Sequence, residues 1–213
     1  MENIKLYSLK NPKSGFSESF KSLRTSLQFS SRDKKIQIIV VTSPGRGEGK
    51  TTIASNLALS FAQSEKKVLL VDCNMRKPTI HEIFDIPNEK GLTNILLGEG
   101  NLEDVVHNWV GELQGLNVVT CGPIPLNPSE ILGSDQMKKF LEDVRKEFDM
   151  VIIDTPAINS VTDGVILSAL ADGTIMVVEL RRTDRDTAKK GKKLLESVHA
   201  NIIGVVLNKV PTK

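Results

Sequence analysis

The stretch "SPGRGEGKTTIASN", residues 43–56, directly follows the apolar run "IQIIVVT" of Ile36–Thr42. Gly45, Gly47 and Gly49 permit backbone turns that aim several N–H groups inward, and a helix opening at Gly49 adds its positive end. Such a turn is a cradle for phosphate. Arg46 and Glu48 sit between the glycines as part of the same wrap. Lys50 reaches toward β and γ phosphates, the Thr51 hydroxyl is placed for Mg²⁺, and Thr52 continues the wrap. The usual G-x-x-x-x-G-K-[ST] spacing puts Pro44 where the first glycine stands. That position mainly supports the turn, and the alternate glycines supply the flexibility. The dinucleotide pattern G-x-G-x-x-G does not fit, because the third glycine comes one residue early and Lys50 would be idle.

Two further strands end in carboxylates. "VLLVDCNMRKP" (68–78) runs into Asp72, followed by Asn74 and Arg76, and "VIID" ends in Asp154 about a hundred residues after the loop. In an open α/β sheet the carboxyl ends of the strands converge on the ligand crevice, so both aspartates should face the phosphates. A hydrophobic strand ending in Asp is the element that holds a magnesium shell in P-loop proteins. "VVLNK" ends the last strand in Asn208, which reads equally as a partner for an adenine edge or as a turn residue.

Elements must bring these ends together. Strand-like runs fall at 36–42, 67–72, 116–121, 149–154, 173–180 and 201–208. Helical stretches fall between them at about 49–64, 135–147, 161–170 and 184–198, with shorter ones near 79–84, 92–97 and 102–109. Strand, crossover and strand repeated in this way predict a parallel sheet covered on both faces. Ahead of it, "SESFKSLRTSLQF" predicts a helix capped by Ser17, with Phe16, Phe20, Leu23, Leu27 and, at the margin, Phe29 on one face. "GPIPLNPSEILG" (122–133) reads as a Pro-rich surface connection with Ser129 capping a short helix. The expected division is a polar segment over 1–35 and a nucleotide-binding domain over 36–213.

At 213 residues the chain suits one substantial α/β domain. One Trp, one Tyr and seven Phe leave the core to aliphatic side chains, as buried parallel strands require. A net charge of +2 gives no case for general nucleic-acid binding. The positive charge is uneven, gathering in the first 35 residues and again over Arg181–Lys193, either as solvated faces or as a surface for anionic lipid or an acidic partner. Cys73 and Cys121 have no metal or C-x-x-C spacing, and His81, His107 and His199 share no ligand spacing. No apolar run approaches the roughly 18 residues of a membrane span, and "MENIKLYSLK" lacks a signal-peptide core. The chain reads as cytoplasmic, with any membrane association through a partner.

"TSPGRGEGKTTIASNLA", "VLLVDCNMRKPTIHEIFDIPNEKGLTNIL", "GPIPLNPSEIL" and "FDMVIIDTPAINSVTDG" together resemble the bacterial tyrosine kinases of capsular and exopolysaccharide synthesis. The resemblance runs from about Glu18 to Asn208. It implies a three-layer P-loop NTPase fold, a mostly parallel sheet with helices on both faces, and transfer of the γ-phosphate of Mg·ATP to protein tyrosine. Residues 45–52 would wrap the phosphates. Asp72 would act on the magnesium shell and on the incoming hydroxyl, Asp154 would hold the metal with Thr51, and Arg76 would support this site or a neighbouring subunit. Glu18, Lys21 and Arg24 occupy the family's E-x-x-R-x-x-R helix, which packs subunits into a ring; lysine replaces the middle arginine. The cytoplasmic tail of a polysaccharide-chain-length membrane protein would be the activator.

Two departures stand out. The family's second carboxylate of the Asp72 loop is Asn74 here, and the sequence in hand stops at "NKVPTK" where the family carries a tyrosine-rich tail, either naturally absent or cut away, so that Tyr7 is the one tyrosine in it. Both weaken the expectation of self-phosphorylation and leave nucleotide binding untouched. The alternative is a nucleotide-gated regulatory ATPase related to the division-site and partitioning ATPases, without phosphotransfer. A nucleotide-binding scaffold that neither hydrolyses nor transfers is a weaker third reading. The lysine that marks those ATPases, five residues before the P-loop lysine, is Gly45 here, which favours the kinase.

Overall fold

The computed structural model describes residues 6, 13–29, 36–109 and 115–211. Tyr7 and most of the N-terminal basic cluster lie outside them. The described elements are α1 (Gly15–Phe29), β1 (Ile38–Thr42), α2 (Lys50–Ala62), β2 (Val68–Asp72), α3 (Ile80–Phe84), α4 (Leu92–Leu96) and α5 (Leu102–Val105). After them come β3 (Val106–Asn108), β4 (Leu116–Val119), α6 (Pro128–Leu132), α7 (Asp135–Glu147), β5 (Met150–Asp154), α8 (Asp163–Leu170), β6 (Gly173–Glu179), α9 (Arg185–Ser197) and β7 (Ile202–Asn208).

The strands form a seven-stranded sheet in the order β3-β4-β2-β5-β1-β6-β7. Every pairing is parallel except β3 with β4, at one edge. The short runs of Val, Ile and Leu form the middle of this sheet because both of their faces are covered. Along β1, Ile39 and Val41 join Phe20, Leu57 and Phe61 of α1 and α2 on one face. Ile38 and Val40 meet Leu92, Phe140 and Val144 of α4 and α7 on the other. Each fully buried aliphatic side chain contributes about 1.5–3 kcal/mol, so the three-layer stack follows from the alternation itself.

Three local expectations are corrected. The predicted helix over 102–109 stops at Val105, and 106–108 becomes the antiparallel edge strand, its β-branched Val106 and His107 pairing with Val119 and Val118. The first turn of α1 is closed by Ser14, whose hydroxyl accepts from the Ser17 N–H at 3.2 Å, while Ser17 lies buried inside the helix. Of the predicted apolar face, Phe20, Leu23 and Leu27 pack inward, whereas Phe16 is 44% and Phe29 78% exposed. A helix this short has room for one stripe against α2, and those two rings fall beside it.

Candidate active site

The phosphate loop leaves β1 at Thr42, in the middle of the sheet, and enters α2 at Lys50. Gly47 and Gly49 take φ of +77° and +91°, the left-handed region that glycine alone enters without strain. Pro44 has a packing role. A Cβ at Gly191 of α9 would stand 3.4 Å from the Pro44 ring, so the bare glycine lets α9 settle against the start of the loop.

Lys50 is buried to 8% exposure, and burial lowers its ammonium pKa against the raising pull of Asp154 and Glu48. Thr51 donates its hydroxyl to Asp154 Oδ2 at 2.7 Å. Asp154 Oδ1 is buried and has no hydrogen-bond partner. Such an orphaned oxygen, beside a threonine hydroxyl and a buried lysine, fits a hard cation. Arg46 and Thr52 lie on the loop's open side and at the first turn of α2, Arg46 exposed and Thr52 half-buried.

Asp72 and Asp154 are register partners on β2 and β5. Asp72 is fully buried and is held by its own loop. Its Oδ1 accepts from Asn74 N at 3.1 Å, and its Oδ2 from Thr79 N at 3.1 Å and Ile80 N at 3.0 Å. A carboxylate oxygen has about two lone-pair sites, so Oδ2 is filled and Oδ1 keeps one. Burial raises both carboxyls, that of Asp72 further through the charge of Asp154; the Thr51 hydroxyl and the Lys50 ammonium offset part of the rise at Asp154.

Arg76 is taken up by partners on α6 and α8. Its Nε reaches Asp163 Oδ2 at 2.9 Å, and one terminal nitrogen reaches Asp163 Oδ1 and Ser129 Oγ, both at 3.1 Å. Ser129 donates to Asp163 Oδ1 at 2.6 Å from inside α6, whose cap position is Asn127, so it is a hub rather than the expected cap. Neither Asp163 nor Ser129 was legible as a partner, since they lie 87 and 53 residues from Arg76. The Asn208 amide donates to Glu48 O at 2.9 Å, so its donor holds the phosphate loop. Glu18 and Lys21 pair with each other at 2.7 Å on the exposed side of α1. Arg24, in contrast, donates to the Ser60 carbonyl of α2.

A central strand, a glycine loop entering a helix and paired aspartates at neighbouring strand ends define a P-loop nucleotide-binding domain. The family described as an AAA domain matches residues 35–202. Tyrosine-protein kinase YwqD of Bacillus subtilis is 41% identical over 197 residues, covering 92% of this chain and 82% of that protein. Putative tyrosine-protein kinase CapB of Staphylococcus aureus is 35% identical, covering 97% of this chain and 90% of that one. The kinase domain of Escherichia coli tyrosine kinase ETK superposes with a TM-score of 0.90 at 31% identity, over 100% of this chain and 84% of that one. The chain belongs to the AAA-domain family and, within it, to the bacterial tyrosine-protein kinases. Its likeness to the septum site-determining protein MinD of Pyrococcus horikoshii, at 20% identity and a TM-score of 0.67, shows the fold alone; that superposition covers 80% of this chain and 69% of that one.

Proposed function

We propose that the chain transfers the γ-phosphate of Mg·ATP to protein tyrosine in the control of capsular or exopolysaccharide synthesis. The observation that carries the reading is the orphaned Asp154 Oδ1 beside Thr51 and the buried Lys50, at the strand ends where the phosphate loop begins. Residues 45–52 wrap the phosphates with backbone N–H groups, and Lys50 adds a point charge beside the buried Asp154. Thr51 and Asp154 would hold Mg²⁺, with Asp72 in its outer shell; the bound ion would neutralise charge on the transferring group. A phenol with a pKa of about 10 is a poor nucleophile at neutral pH. Asp72 Oδ1, with its remaining lone pair, orients that hydroxyl and takes its proton.

The activating partner in this reading is the cytoplasmic tail of a polysaccharide-chain-length membrane protein, which would bring the chain to the inner face of the membrane. Ring assembly would run through the α1 face that carries Glu18 and Lys21. The regulatory ATPase is the weaker reading, since its support is the fold-level likeness and Gly45 stands where its lysine belongs. The test is labelled ATP with a tyrosine-containing acceptor, with and without the partner's tail, for wild type and Lys50→Met. Wild type should label tyrosine, and Lys50→Met should lose transfer and bind Mg·ATP much more weakly. Unchanged affinity and transfer in Lys50→Met would overturn the P-loop assignment. ATP hydrolysis by wild type without labelled acceptor would favour the ATPase.

A further inference from the structure

The phosphate loop is clasped from outside by two elements distant in sequence. Glu48, at its centre, is 3% exposed and carries a carboxylate into a loop that must surround a polyanion. Both oxygens are engaged. Oε2 accepts from Gly45 N at 3.0 Å, closing the loop on itself, and Oε1 accepts from the hydroxyl of Thr183, in the turn between β6 and α9. The Thr183 oxygen in turn accepts from Glu179 N at 3.0 Å, which fixes its proton toward Glu48.

Beside it, Asn208 at the end of β7 donates to Glu48 O, and a Cβ on Gly49 would stand 2.1 Å from that amide nitrogen. Arg182 lies over Gly47, where a Cβ would be 3.2 Å from its guanidinium. Arg182 and Lys209 both bridge to Glu179, at 3.0 and 3.2 Å, and Lys209 also reaches Gly47 O at 3.4 Å.

We infer that Thr183 is a positioning residue for nucleotide binding: by holding the buried Glu48 carboxylate against Gly45 N, it keeps that charge off Lys50 and the phosphate seat. The inference rests on the reading that this loop binds ATP. Without the Thr183 hydroxyl, Oε1 is left without a donor in a buried position, an arrangement that favours movement of the carboxylate. Lys50 is a cation on which its charge already acts. An ion pair formed there competes with the incoming phosphates, so the loss falls on binding rather than on the transfer step.

The experiment is Mg·ATP titration by calorimetry, with steady-state kinetics, on wild type, Thr183→Val and Thr183→Ser. Thr183→Val should weaken binding and raise the KM for ATP by ~10-fold, the equivalent of one charge-assisted hydrogen bond. Its kcat at saturating ATP should stay near that of wild type, and Thr183→Ser should restore both constants. Thr183 lies in a half-buried surface turn, and Thr183→Ala removes the same hydroxyl if the valine variant fails to fold. Wild-type affinity in the folded valine or alanine variant, even with a lowered melting temperature, overturns the inference and leaves the ATP reading intact. Absence of Mg·ATP binding by the wild type overturns both.

Discussion

Asp72 accepts three N–H groups of its own loop while Asp154 keeps an open oxygen. In the proposed reading that asymmetry gives the two carboxylates different work, Asp154 toward the metal and Asp72 toward the hydroxyl. Asn74 offers its backbone N–H to Asp72, and its side chain holds the position at which the family resemblance leads to the expectation of a second acid. An amide can accept a hydrogen bond but cannot take a proton, and general-base help is worth about 10²–10⁴-fold. Asn74→Asp should therefore speed transfer to a tyrosine peptide in single-turnover measurements, with little change in Mg·ATP affinity. Equal single-turnover rates would assign the whole proton transfer to Asp72. At this scale the loop, Lys50 and Thr51 were legible from strand–loop–helix spacing, and the two aspartates from the apolar strands that they end. It did not disclose Asp163, Ser129 or Thr183, whose partners come together only when distant elements pack.

Among the elements, Asp172 fastens three at once. Its Oδ2 accepts from Gln37 N at 2.9 Å and Ile38 N at 2.7 Å, at the entry to β1, and its carboxylate takes Arg145 of α7 in two bonds of 2.8 and 2.7 Å, just before β6. Burial alone would raise its pKa, but the Arg145 guanidinium and the two N–H groups bring it below the usual carboxylate range. A depressed folded value means stability that is present above the unfolded pKa of about 3.9 and lost as the pH falls through the folded value. Asp172→Asn should therefore lose about 1–2 kcal/mol at pH 7 in denaturant unfolding, with the gap from wild type closing toward pH 2. A gap of the same size at both pH values would deny the carboxylate's charge any part. The element order was legible because continuous apolar runs and 3.6-residue helical patterns alternate along this chain. β3 was not, since three residues carry no period and its strand character comes from the β4 edge beside it.

For the molecule as a whole, the first helix is part of the body. Phe20 and Leu27 join the core that lines one face of the sheet, and Arg24 ties α1 to Ser60 of α2. The boundary drawn at residue 35 thus separates two compositions, while the packing is continuous across it. Glu18 and Lys21 point outward as a pair, and Arg24 faces inward. Arg24→Glu should accordingly lower the melting temperature by several degrees, whereas Lys21→Glu should leave it near wild type and alter only the mass seen by light scattering. A stable Arg24→Glu protein of reduced mass would instead place Arg24 between subunits.

The clasp on the phosphate loop also has a consequence for biosynthesis. Glu48 and Asn208, whose side chain completes the loop's support, are 160 residues apart, and β1 itself lies between β5 and β6. During translation the loop emerges early, yet its two strand neighbours and its C-terminal donors, Asn208 and Lys209, are still unmade. In the proposed reading, nucleotide should meet the fully supported seat only after the ribosome has added Asn208 and Lys209, and a chain interrupted before that point carries the motif without these two donors.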